Sequence, residues 1–444
     1  MGIFDRFFNT SSKEENVPDI TFGRYSDTYK EDENNEAWKA ALQHFQAKEY
    51  LDSYHKFFEY LRDEREDNVR FWRDGHVLNF EFFQGSKKVS GSATKDQLKA
   101  CAKIAQAENL NVGFMRRLME YNFGLKYSRF ALEEDKTICI VFDTYTLDGS
   151  PYKLYYALKE MAVNADKQDD LLLDEFQGLK AVDTSHLRPL EVAEKQVKYD
   201  FIQQKIEETI HEIDQGALDA NKYPGAIAYL LLSLTYKLDY LIKPEGYMME
   251  MLERIHRLYF AKDKKTSIQK HQAIYKEYQK LLKRPKEDFF KEMYRVRATF
   301  GITSPENHDR LAGFIDGELR NMDWYYENGH PTIAITIPNY IVGFSFFNYA
   351  LPKPDKAYLH LYYRILEPAY FQGLGFKNDF FDVTNSNFNK KAIKKAIEQI
   401  RIQNSRQYPK LNPIVSNLDF KDLPSFAKSY LLMIRNLDLS KRIH

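Results

Sequence analysis

Apolar positions along this chain change their period several times, and each change marks an element. From residue 36 to about 65 they recur at steps of three and four (Trp38, Leu42, Phe45, Tyr50, Tyr54, Phe57, Phe58, Leu61), which predicts a helix. Strand-like runs over 69–73 and 76–83 then flank Asp74-Gly75, a strong two-residue hairpin signal. Gln84-Gly85-Ser86 turns the chain into a third strand near 88–92. Thr94 and Gln97 have the spacing of a capping box, so a helix is expected with Leu98, Cys101, Ile104 and Ala105 on one side. A short helix over 112–121, closed by Asn122 in the left-handed conformation, precedes strands near 126–132 and 136–144. Ser150 followed by Pro151 opens a helix whose core stripe is Leu154, Leu158 and Met161.

Downstream, 184–300 reads as all-helical, with four or five helices. Pro189 and Pro224 start helices, and Lys243-Pro244-Glu245-Gly246 separates two of them. The apolar run 226–236 is too short to span a bilayer and reads as a buried helix. Past Ser304-Pro305 a helix carries Leu311, Phe314, Ile315, Leu319 and Met322, and Gly329 ends it. The β-branched and aromatic runs 332–337, 340–349 and 357–365 read as strands, and two helices follow near 386–402 and 424–437. The expected fold class is therefore α+β. It divides into a flexible tail (1–35), an α+β domain (36–180), a helical domain (184–300) and a C-terminal α+β domain (304–444). Element order alone makes the last a candidate diverged copy of the first. Phe4, Phe7 and Phe8 in the tail are a candidate amphipathic anchor.

Charge narrows the function classes. Lys+Arg and Asp+Glu both number 64, which argues against a protein that coats nucleic acid over its whole surface. Two stretches are locally basic: 261–297 has twelve Lys/Arg against five Asp/Glu, and 390–410 has seven against one. In the second, Lys390, Lys391, Lys394, Lys395 and Arg401 lie opposite Ala392, Ile393, Ala396, Ile397 and Ile400, an amphipathic helix with a basic outer face. Aromatics make up 15% of the chain, with 31 Tyr and 32 Phe, suited to cores and binding grooves alike. The two cysteines, Cys101 and Cys139, imply no disulfide framework and fit a reducing compartment. The N-terminus lacks a secretion-signal pattern, and Arg6 stands where myristoylation wants Ser or Thr, so a cytoplasmic protein is expected.

No catalytic, cofactor or metal site is expected. His186, His211, His256 and His271 have no one-turn spacing, and no cysteine pair has zinc spacing. Gly373-Leu-Gly375 lacks the rest of a phosphate loop, and Gly343-Phe-Ser345 has only half of a nucleophile elbow.

The stretch 68–173 resembles the YbjN-like family. The likeness rests on Phe71-Trp72-Arg73-Asp74-Gly75-His76 in the meander and on Phe114-Met115-Arg116-Arg117-Leu118-Met119-Glu120-Tyr121-Asn122. It continues through Leu125-Lys126-Tyr127-Ser128-Arg129-Phe130-Ala131-Leu132 and the segment 158–166. The resemblance implies a fold like that of the type III secretion chaperones over about 36–180, a scaffold that binds other proteins, often as a dimer, and no reaction. The expected function is a non-enzymatic adaptor that holds a partner segment on a sheet face or open edge. Phe71, Phe80, Phe82 and Phe83 are its contact candidates, with Arg116 and Arg117 either gripping an acidic partner or pairing with Glu120 or Glu133. The partner would be another protein or a second copy, with no cofactor and no small-molecule substrate. Two alternatives stand: nucleic-acid or acidic-partner binding through the basic helices at 261–297 and 390–410, and an enzyme with a cryptic site.

Overall fold

A computed structural model describes residues 18–110, 112–176 and 178–441. Two helices, α1 (Asp32–Gln46) and α2 (Tyr50–Leu61), take the place of the single helix expected over 36–65. Lys48, at φ 63°, reverses the chain between them, and the Ser53 hydroxyl donates to Ala41 O at 2.7 Å. The meander β1 (Val69–Asp74), β2 (Val77–Gln84) and β3 (Lys87–Ala93) follows as expected.

The next element corrects the sequence reading. Residues 97–107 form a strand, β4 (Gln97–Ala107), not a helix. The Thr94 hydroxyl does accept from the Gln97 N–H, but also from that of Asp96, inside a tight β3–β4 turn. The same side-chain chemistry serves a hairpin as well as a helix start. Leu98, Ala100, Ala102 and Ile104 alternate inward, and the small alanines mask that period in the sequence.

Helix α3 (Val112–Asn122), strands β5 (Arg129–Leu132) and β6 (Thr137–Tyr145), and helix α4 (Pro151–Glu175) complete the unit. Ser150 Oγ caps α4 by accepting from the Lys153 N–H. Asn122 is not left-handed; it is the last helical residue, and its Oδ1 accepts from Phe130 N–H at 2.7 Å. The strands make an antiparallel sheet in the order β1-β2-β3-β4-β6-β5, with β7 (Leu179–Ala181) paired to the end of β4. One face carries the core: Tyr54, Phe57 and Phe58 of α2 and Leu154, Leu158 and Met161 of α4 cover Leu78, Phe80, Phe82, Ile104 and Ile140.

The rest of the described chain is almost wholly helical: α5 (Val192–Gln215), α6 (Pro224–Ile242), α7 (Gly246–Phe260), α8 (Ser267–Lys283), α9 (Lys286–Lys291), α10 (His308–Leu319), α11 (Met322–Glu327), α12 (Pro331–Asn348), α13 (Lys353–Leu366), α14 (Pro368–Gly373), α15 (Lys390–Asn404) and α16 (Leu423–Arg435). The runs 332–337 and 340–349 are one helix, α12, and 357–365 lies in α13. An apolar run buried on every side has no period by which to tell strand from helix, and burial overrides β-propensity. Helix α12 packs along α6. A single apolar cluster runs from Phe201 to Leu437, so the helices of 184–300 and 304–444 share one core. The C-terminal region is thus not a second α+β unit. Helix α6 is long and apolar enough to cross a membrane, but 83% of its apolar window is buried inside the protein.

Residues 18–31, expected within a loose tail, instead strap the two units together. Phe4, Phe7 and Phe8 lie outside the described residues. Ile20 and Phe22 pack into the helical core. Arg24 binds Asp239 at 2.8 Å and Glu253 at 3.3 Å, and lies 3.8 Å from the centre of the Phe347 ring. Buried Asp27 accepts from the Tyr155 hydroxyl of α4 (2.7 Å) and from Gly301 N–H (3.0 Å). A second tie lies at 297–301. The Gln84 amide exchanges hydrogen bonds with Thr299 N–H and with both backbone groups of Phe300, whose ring enters the sheet core beside Phe82.

Candidate functional site

Alternation along β3, β4 and β6 sends every second side chain to the face away from α2 and α4. Register sets Ser90 opposite Cys101 and Lys103 opposite Cys139. An open pocket of about 490 Å³ lies on this face, lined by Lys88, Ser90, Lys103, Thr137, Asp135 and Asp183 among others. Beside it Cys101, Cys139 and Glu133 converge, their two Sγ atoms and a carboxylate oxygen all within 4.8 Å of one another. Cys139 is buried, Cys101 half-buried and Glu133 exposed. Lys103 Nζ stands 3.7 Å from Glu133 Oε2. The neighbouring Cys139 thiol holds Cys101 below the ordinary thiol range, while the same contact and burial push Cys139 up. No spacing rule finds this cluster, because its members come from separate strands and pairing alone joins them.

In a second polar group Ser86, Lys87 and Asp169 are buried and Asp166 is half-buried. Ser86 and Lys87 follow the β2–β3 turn and meet Asp166 and Asp169 of α4. Lys87 Nζ lies 2.6 Å from Asp169 Oδ2 and donates to Ile104 O at 3.1 Å. The Ser86 hydroxyl donates to Asp169 at 2.9 Å, and Ser86 N–H to Asp166 Oδ1 at 2.7 Å. Gly85, at φ 54°, is required here: a Cβ would stand 1.8 Å from the Asp166 carboxylate. The arrangement pins α4 to the hairpin.

The aromatic candidates separate by burial. Phe80 and Phe82 are core residues under α2 and α4, closed to any partner. Phe83 is on the other face but equally buried, with the Arg297 guanidinium 3.4 Å from its ring centre and His186 alongside. Phe71 is half-buried against Phe58 and His55. Its neighbour Trp72, not singled out by sequence reasoning, is 51% exposed. Among the described residues, β1 pairs on one side only, with β2.

The opposite sheet edge is blunted. The Asn122 side chain takes the Phe130 N–H, and the Glu160 carboxylate accepts from the N–H groups of Lys126, Tyr127 and Ser128 at 2.8–3.0 Å. Burial pushes the Glu160 carboxyl up, but these bonds and the Ser128 hydroxyl outweigh it and hold the group below its usual range.

Arg116 and Arg117 both reach Glu120, at 3.2 and 3.7 Å, as the structural alternative had it, and Arg117 also lies over Tyr121. In α15, Ile393, Ala396, Ile397 and Ile400 are buried while Lys390, Lys391, Lys394 and Lys395 are exposed. Arg401 is held by Glu398. The stretch 261–297 is less free than its charge suggests. Arg284 pairs with Glu292, Lys280 with Glu277 and Lys291 with Asp288, and Tyr278 and Phe289 are core.

No protein-family model matches this chain, and no curated protein is significantly similar to it.

Proposed function

We propose that this protein is a non-enzymatic interaction scaffold, and that a partner protein segment docks along β1, extending the sheet. The observation that carries this reading is the six-residue edge strand, unpaired on its outer side among the described residues, with half-exposed Trp72 in its middle. A free edge offers main-chain hydrogen bonds, and an exposed Trp is the residue type most enriched at binding hot spots. Arg70 and Arg73 flank Trp72 and are paired to Asp67 and Asp52. Edge charges of this kind deter pairing between copies of the same strand while leaving a complementary acidic segment acceptable. The likeness to YbjN-like scaffolds points the same way.

The test is affinity capture with and without Trp72→Ala, followed by hydrogen exchange on the complex. Loss of a captured partner, at least tenfold, together with protection of 69–74 by that partner is expected. Partners retained in full by the variant, or protection confined to another surface, would defeat the reading.

A second reading rests on α15, whose four exposed lysines have no ion-pair partner among the described residues. Such a stripe suits a polyanion or an acidic protein surface.

A further inference from the structure

We propose that Cys101, Cys139 and Glu133 form a binding site for one thiophilic divalent cation, zinc or a zinc-like ion. Cys101 sits on β4, Cys139 on the neighbouring β6 and Glu133 one residue past β5, so strand pairing fixes the two cysteines in place. The two cysteines are strand-borne and so held more firmly than a loop-borne ligand, and Glu133 is anchored by its N–H, which donates to Thr137 O at 2.8 Å. Their three donor atoms already lie within 4.8 Å of one another. A tetrahedral ion with metal–sulfur bonds of about 2.3 Å sets its two sulfurs roughly 3.8 Å apart, so small side-chain rotations close the site. Two sulfurs select a soft or borderline ion over magnesium or calcium, and a carboxylate is an ordinary third ligand for zinc.

The surroundings agree with this assignment. Cys139 forms a buried floor, Cys101 is half-buried and Glu133 exposed, and their cross-strand neighbours Ser90 and Lys103 line the adjoining open pocket. That leaves an access route and a fourth position for water. Without a metal, the Lys103 ammonium serves as the cation beside Glu133, at 3.7 Å. Its side chain is half-exposed and free to swing into solvent when an ion takes that place. A bound ion would tie β4, β5 and β6 together on the sheet face away from the core, which is a role separate from docking on β1.

The experiment uses the full chain, reduced and stripped with chelator under anaerobic conditions, then titrated with Co²⁺. One equivalent should bind and produce thiolate-to-cobalt charge-transfer absorption with the visible bands of a tetrahedral ion, bleached stoichiometrically by Zn²⁺. Cys101→Ser and Cys139→Ser should each abolish the charge-transfer band or weaken binding at least tenfold. Glu133→Gln should weaken binding with the band retained, and Lys103→Met should tighten it. Circular dichroism of each variant guards against loss of fold. An absent band in folded wild-type protein whose two thiols both titrate as free would overturn the proposal. So would a band that survives both serine variants, or thiols that close to a disulfide on mild peroxide treatment while binding no cobalt.

Discussion

Asp166 shows what a single residue contributes here and how little of that is visible in a sequence. Burial, and then the neighbouring charge of Asp169, push its carboxyl up to about 7 from 3.8. Between those values the folded state holds a proton that the unfolded chain has released. The contribution of this group to stability is therefore full below the unfolded value and is lost as pH rises through 7. Asp166→Asn should flatten that slope and raise stability on its alkaline side, read from urea unfolding at about pH 5 and about pH 8; parallel slopes for variant and wild type would remove Asp166 from the account. Lys87→Ala acts in the opposite direction. It removes the cation beside the buried Asp169 carboxylate, and loss of one partner of a buried pair costs about 3–5 kcal/mol, measurable as a fall in the denaturant midpoint. The turn at Gly85 was legible from its residues. The network was not, because the partners of Asp166 and Asp169 lie some 80 positions away in the chain. The cysteine cluster escaped for the same reason: register, not spacing, assembles it.

Among the elements, legibility followed the quality of the period. Helix α15 was clear because its basic and apolar faces alternate cleanly, and α4 because Ser150-Pro151 marks its start. Strand β4 was lost to its alanines, which carry little hydrophobic contrast, and α12 to the opposite fault of being apolar all round. Two short motifs also misled in an instructive way. Thr94-x-x-Gln97 makes the hydrogen bond it advertises, but in a hairpin, and Asn122 spends its side chain on the β5 edge instead of adopting the left-handed conformation. The clean face of α15 supports a prediction of its own. Changing Lys390, Lys391, Lys394 and Lys395 to Glu should leave the fold intact, since all four side chains are solvent-facing, and should abolish salt-sensitive retention on heparin. Wild-type protein that passes through heparin at low salt without delay would dismiss the stripe as a solvated surface.

At the scale of the molecule, the strap and the 297–301 tie join two apolar cores that the sequence presents as separate domains with linkers between them. Asp27 fastens the strap to the sheet unit and to the 297–301 tie, accepting from Tyr155 and from the backbone at Gly301, while Arg24, three residues away, grips Asp239 and Glu253 of the helical unit. Lys167 of α4 reaches Glu250 and Glu253 of α7 across the same junction. Nothing in the composition of 18–31 announces this, because a strap has no period of its own and takes its meaning from the surfaces it crosses. With the joint intact, the two cores should unfold in a single calorimetric transition. Asp27→Ala leaves the buried Gly301 N–H without its acceptor, at about 1–3 kcal/mol, removes the acceptor of the half-buried Tyr155 hydroxyl, and loosens the contact between the units more than either core. The transition should then broaden or split in two, with the sheet unit and the helical unit melting apart. A variant that still melts in one sharp step, merely at lower temperature, would show that the cores cooperate through some other contact.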